Sequence, residues 1–229
     1  MKYELTNETK WHYGHKLYRI RATESFANVH EGDLGGWVES EKNLSQGGNA
    51  WLYDESKAYM NAQVMGDATA EGHAEVSGNA VLADYATIHN DTKLYEDAFV
   101  GGYATLKNDA KVYGKAQIRG NVILSNAAIV RDNALVTGDS VVFGHSTVSM
   151  NAKIYDHSVI FGHASISGNA IIKSAKVFGD AEVYSNAEVT GERSMISGNA
   201  KIYGKVENIV IDSYAPKNNN IIEEEEVEI

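Results

Sequence analysis

Histidine is the side chain that changes charge near neutral pH, so it can move protons or ligate metals. This chain of 229 residues has eight: His12, His15, His30, His73, His89, His145, His157 and His163. It has no cysteine, which excludes disulfides, thiolate nucleophiles and thiolate metal sites. His157 and His163 are six residues apart, and His145 and His163 are eighteen apart. Those spacings matter only if the chain repeats with a period of six. The three are therefore the catalytic candidates, each set against the plainer reading of a surface residue. His145 and His163, eighteen residues or three such repeats apart, could share a metal or an anion, or depress the charge on one ring. No metal site is assigned. There is no glycine-rich phosphate loop between a strand and a helix, and no evident nucleophile–base pair.

The element that must position these residues is the stretch from Ala50 to Ala170. At every sixth residue it carries Ala, or in places Ser, Thr or Val, for twenty consecutive steps. Two residues after each stop sits an aliphatic, as at Leu52, Val64, Val112, Ile154 and Ile172; only Ala58 and Ala70 are undersized. Residues two apart share one face of a strand, so the small and aliphatic residues point inward together. The fifth and sixth places are turn formers, such as Gly78-Asn79, Asn108-Asp109 and Gly168-Asn169, which tolerate the positive φ of a sharp corner. A short flat segment plus a corner, repeated, predicts an all-β fold, a single-stranded parallel β-helix. Three segments make a triangular coil of 18 residues, and coils stack about 4.8 Å apart. His145 and His163 should then stack at one corner. The pattern is one residue short near Ser174 and one residue long at Arg193, so the two defects cancel.

The chain divides into residues 1–43, 44–212 and 213–229. The first part ignores the six-residue rule and is expected to be a β-hairpin and loop that caps the solenoid's exposed edge. Lys16–Ala22 alternates as a strand, and Tyr3–Leu5 is expected to pair with it across a turn at Asn7–Lys10. The core is either thin at Ala58 and Ala70 or filled there by a cap residue such as Trp37. The last part is an acidic tail containing Ile221, Ile222, Glu223, Glu224, Glu225, Glu226 and Val227. It is expected to be a solubilising segment, a partner-binding peptide or a strand closing the last coil.

Six of the eleven net negative charges fall after Val206, so the repeat itself is nearly balanced. A nucleic-acid surface would need a basic stripe and is not expected. No apolar run approaches the roughly 20 residues of a membrane-spanning helix, and the N-terminus lacks a signal peptide's apolar core. The expectation is a cytoplasmic protein without membrane contact.

The same period sorts the outside into columns. On the face beginning at Ala50, the later coils present Ile123, Val141, Phe143, Val159, Phe161 and Phe178. Contiguous apolar surface of this kind marks a contact, and a patch running along the axis suits a homo-dimer or homo-trimer. Another face carries Lys57, Glu75, Lys93 and Lys111, with Tyr95 and Tyr113 beside them.

The repeat resembles the hexapeptide-repeat proteins, a likeness that covers residues 44–205 and implies a left-handed coil. A closer one runs from Leu17-Tyr18-Arg19-Ile20-Arg21-Ala22 through Gly32-Asp33-Leu34-Gly35-Gly36-Trp37-Val38 and Gly48-Asn49-Ala50-Trp51. This is similar to the YdcK-like β-solenoid proteins of bacteria and phages, which are labelled acyltransferases by fold analogy. The resemblance implies an acyl-coenzyme A bound between neighbouring helices and a histidine near a loop that breaks the repeat. Carbonic-anhydrase relatives of the fold hold zinc on three histidines, two of them five residues apart, a spacing absent here. No loop breaks this repeat for 120 residues. The primary expectation is therefore a non-enzymatic binding or assembly module without a cofactor. By its phage-type resemblance, its partner would be a host protein it sequesters or blocks, or a small-molecule ligand. The alternatives are an acyltransferase using acetyl-coenzyme A and a metal-dependent hydratase.

Overall fold

A computed structural model describes residues 1–213 and the strand Ile221–Ile222. The chain winds into a three-sided parallel β-helix, its sides being sheets of 10, 13 and 9 strands. Face one begins at Trp51–Leu52, face two continues from the N-terminal strands into Lys57–Ala58, and face three begins at Gln63–Val64. Partners in neighbouring coils are 18 residues apart, as with Thr87 and Thr105. Backbone amides donate from one coil to the next, Thr87 N to Ala104 O at 2.9 Å for example. The expected defects fall where the pattern placed them. Val159 pairs with Lys176, 17 residues on, and Lys176 with Met195, 19 on, after which the register is restored.

Every aliphatic of the ladder is fully buried, and so are its alanines. The small residue lies beside a corner, where the chain turns and leaves no room for bulk. Serine and threonine substitute there because the hydroxyl returns to the backbone. Thr92 Oγ1 donates to His89 O at 2.7 Å, and Ser140 Oγ lies 2.8 Å from both Thr137 O and Asp156 O. A buried polar group satisfied in this way carries little penalty.

The cap differs from expectation in its turn. Strand β1 spans Tyr3–His12 and β2 spans His15–Ala22. The stretch around Asn7 does not turn; it holds a bulge, where the register shifts between Leu5 and Thr9. The turn is Tyr13-Gly14, with φ of +48° and +83°. A two-residue hairpin turn of this kind needs positive φ at both positions, and glycine supplies one of them freely. Strand β3, Leu34–Val38, pairs antiparallel with β2 and parallel with Lys57–Ala58, joining the hairpin to face two. Val38, not Trp37, stands in register with Ala58. Trp37 packs outside with Leu17 and Tyr59. On face one, Tyr3 and Phe26 cover Trp51, their rings 6.2 and 5.4 Å from it. Gly35 is required for this cover, since a Cβ there would lie 2.5 Å from the Trp51 ring.

The hairpin folds back over the outside of face two and is held there by charge. Glu55 accepts from Lys10 Nζ at 2.6 Å, Arg19 Nη1 at 2.8 Å and Trp37 Nε1 at 3.0 Å. Burial pushes the Glu55 carboxyl up, but the Lys10 and Arg19 hydrogen bonds and charges outweigh it and bring its pKa to about 2. A carboxyl depressed on folding contributes stability above its ordinary pKa and loses it as pH falls toward the folded value. The melting temperature should therefore drop from about pH 5 to pH 2. Glu55→Gln should lower it at neutral pH and flatten that acid limb. A thermal melt followed by tryptophan fluorescence across the pH range checks both.

At the other end, Ile221–Ile222 pairs in parallel with Lys201–Ile202 and so adds a strand to face two. Two of the expected tail residues thus close onto the solenoid, while Glu223, Glu224, Glu225, Glu226 and Val227 lie outside the described residues. No helix among the described residues is long and apolar enough to cross a membrane.

Candidate functional site

The corner between faces one and two carries the candidate chemistry. Its first position has positive φ throughout: Gly72, Asn90, Asn108, Asn126, Gly144 and Gly162 occupy it in successive coils. The residue after each points outward, giving one column of His73, Asp91, Asp109, Ala127, His145 and His163. The His145 and His163 rings stack 5.1 Å apart and within 6° of parallel, as their 18-residue spacing requires. His157 lies on a different corner, between faces three and one, with Nε2 3.4 Å from Asp139. The structure therefore brings two of the three candidate histidines together and sets the third apart. Among the described residues, no three histidine or acidic side chains converge in a way that could hold a metal ion.

Ala127 interrupts this column. Its short side chain leaves an open groove of about 540 Å³, lined by His73, Asp91, Asp109 and His145 with Asn90, Asn108 and Asn126. The three asparagines form an amide ladder, Asn90 Nδ2 donating to Asn108 Oδ1 and Asn108 Nδ2 to Asn126 Oδ1, each at 3.0 Å. The ladder ends because Gly144 has no side chain to accept from Asn126. One face of the His145 ring is stacked on His163, and the groove opens on its other side. The residue types of this column were legible in the sequence at an interval of 18, but the gap at Ala127 gains its meaning only beside its neighbours.

The expected apolar column flanks the same corner in the later coils, its phenylalanines two residues before His145, His163 and Asp180. Phe143, Phe161 and Phe178 stack with centroids 5.0 and 4.6 Å apart. Ile123, Val141 and Val159 stand in register beside them. All six are at least partly solvent-accessible, Ile123 the most at 38%.

These features define a β-solenoid of the hexapeptide-repeat type. The likeness to YdcK-like proteins is borne out over one segment. The chain is 38% identical over 66 residues to the "Uncharacterized acetyltransferase YdcK" of Escherichia coli (strain K12), a match spanning 29% of this chain and 19% of that protein. Among solved structures, the UDP-N-acetylglucosamine O-acyltransferase (LpxA) of Moraxella catarrhalis RH4 aligns at a TM-score of 0.34 and 15% identity. That alignment covers 74% of this chain and 72% of the other. No family model matches the chain.

The relative's name overturns the primary expectation of a non-enzymatic binding or assembly module; the comparison favours the acyltransferase alternative. The expectation of no cofactor loses its support with it. An unbroken repeat does not by itself preclude a recess: a single small residue in a corner column opens a groove without any inserted loop.

Proposed function

We propose that this protein transfers an acyl group from an acyl-coenzyme A to a hydroxyl or amine, with His145 as the general base. The observation that carries the reading is the 38% identity to a protein named an acetyltransferase. Position supports His145: it is exposed and faces the groove at Ala127. His145 takes the proton from the acceptor as its oxygen or nitrogen bonds to the acyl carbon. The carbon–sulfur bond then breaks and the thiolate leaves, receiving that proton. Asp109 and Asn126 would orient a polar acceptor by accepting and donating hydrogen bonds.

The neighbouring surface suits an acyl-coenzyme A as donor. Its pantetheine arm is apolar enough to lie along Ile123, Val141 and Val159, and its phosphates want cations. Lys107 and Lys176 stand at the two ends of that strip, both exposed. Calorimetry with acetyl-coenzyme A tests the reading: saturable binding supports it, and no heat at millimolar ligand contradicts it.

The phenylalanine ladder serves a second purpose in this proposal, as the contact between copies of the chain in a homo-dimer or homo-trimer. A stripe parallel to the helix axis lets identical rods pack side by side under closed symmetry. Phe161→Glu, which places a charge between Phe143 and Phe178, should reduce the mass seen by light scattering to that of one chain. An unchanged mass would remove the contact from this face.

A further inference from the structure

We propose that the pocket beneath the hairpin tip on face two binds a phosphate monoester carried on an aromatic or heteroaromatic group. This site is separate from the corner groove and does not depend on the acyl-transfer reading. Lys93 and Lys111 occupy adjacent strands in direct register. Like charges placed opposite each other in a sheet repel and destabilise it. Among the described residues, no carboxylate lies within ion-pair distance of either lysine. Glu75 stands opposite Lys93 on the preceding strand, but it is already engaged: Lys57 Nζ is 3.7 Å away, His12 Nε2 3.3 Å, and Tyr59 Oη donates to it at 3.4 Å. Lys111 has no acid opposite it, and with Glu75 shared among Lys57, His12 and Tyr59 the Lys93–Lys111 pair, one strand spacing apart, keeps an excess of positive charge that a phosphate dianion satisfies.

The walls specify what the dianion is attached to. The groove has about 380 Å³, and Tyr13, Tyr59 and Tyr95 line it together with Glu75, Ser77 and the two lysines. Tyr13 belongs to the hairpin turn, so the cap overhangs the sheet and turns an open face into a recess. Tyr95 is held flat by Tyr113, centroids 4.8 Å apart and within 9° of parallel. Burial and the neighbouring Tyr113 push the Tyr95 phenol up to about 12, so it remains a hydrogen-bond donor at neutral pH. A ring seated among three tyrosines gains edge and face contacts, while its phosphate reaches both ammonium groups. An aliphatic carboxylate would use neither feature fully.

Phenyl phosphate, inorganic phosphate and benzoate are the probes, titrated into the full chain by calorimetry. Phenyl phosphate is expected to bind more tightly than either of the others. The double variant Lys93→Gln/Lys111→Gln should weaken it at least about tenfold, as loss of two charge-assisted hydrogen bonds would. Tyr95→Leu should erase its advantage over inorganic phosphate, and Lys153→Gln, on face three, should change nothing. The lysine double variant should melt close to the wild-type temperature, because the Lys93–Lys111 repulsion it removes offsets the Lys93–Glu75 attraction it loses, which separates lost binding from lost folding. Absence of binding by phenyl phosphate at millimolar concentration, equal binding of benzoate, or undiminished affinity in the double variant would each overturn the proposal.

Discussion

Ile154→Asp should collapse the middle of the solenoid. Ile154 is fully buried, in register with Val136 on one side and Ile172 on the other. An aspartate there enters a core of alanine and aliphatic side chains with no cation to meet it, and an unpaired buried charge is among the costliest of substitutions. The aliphatic contacts of the isoleucine are lost as well. The expected destabilisation exceeds about 4 kcal/mol. In a protein of this size that lowers the melting temperature by roughly 8–16 °C. A solenoid is stabilised by nearest-neighbour stacking, so damage in a middle coil also uncouples the coils on either side. Circular dichroism should show a broadened transition, or two, rather than a uniform shift. A melt indistinguishable from wild type would mean that Ile154 does not point inward.

His145→Ala should remove most of the activity and little else. Its backbone amide donates to Gly162 O at 2.7 Å, a bond that alanine keeps. The exposed ring stacks on His163, so stability should barely change. A positioned general base accelerates proton transfer by about 10²–10⁴-fold. Acyl transfer should fall within that range, with acetyl-coenzyme A affinity held near the wild-type value. His163→Ala should have a smaller effect, through loss of the stacking partner that fixes the His145 ring. His157→Ala, on another corner, should have none. Equal losses from His145→Ala and His157→Ala would show that neither acts as the base.

The interior was legible because a β-helix leaves little freedom once its period is known. Alanine at the corner and an aliphatic two residues later specify the strand, the turn and the inward face together. The register then follows, even through the compensating defects near Ser174 and Arg193. The stacking of His145 on His163 and the phenylalanine ladder were legible for the same reason. The cap was harder to read. Asn7 to Lys10 has the composition of a turn, but a bulge absorbs it, and the real turn lies at Tyr13-Gly14. Its position depends on β1 and β2 curling back to reach Glu55 and Glu75, contacts made across 45 and 63 residues of sequence that no local pattern records. The recess at Lys93 and Lys111 was half visible for that reason. The lysine column follows from the period, whereas the tyrosine that roofs it comes from the hairpin. A uniform interior says nothing about which outer column works, and Ala127 between Asp109 and His145, where the corner groove opens, is an ordinary alanine in the sequence.

Release of free thiol from acetyl-coenzyme A, followed with purified full-length protein and a panel of hydroxyl and amine acceptors, tests the central claim most directly. The account predicts acceptor-dependent release that His145→Ala nearly abolishes and His157→Ala leaves intact. Release no faster than in buffer with every acceptor, together with no binding of acetyl-coenzyme A, would contradict it.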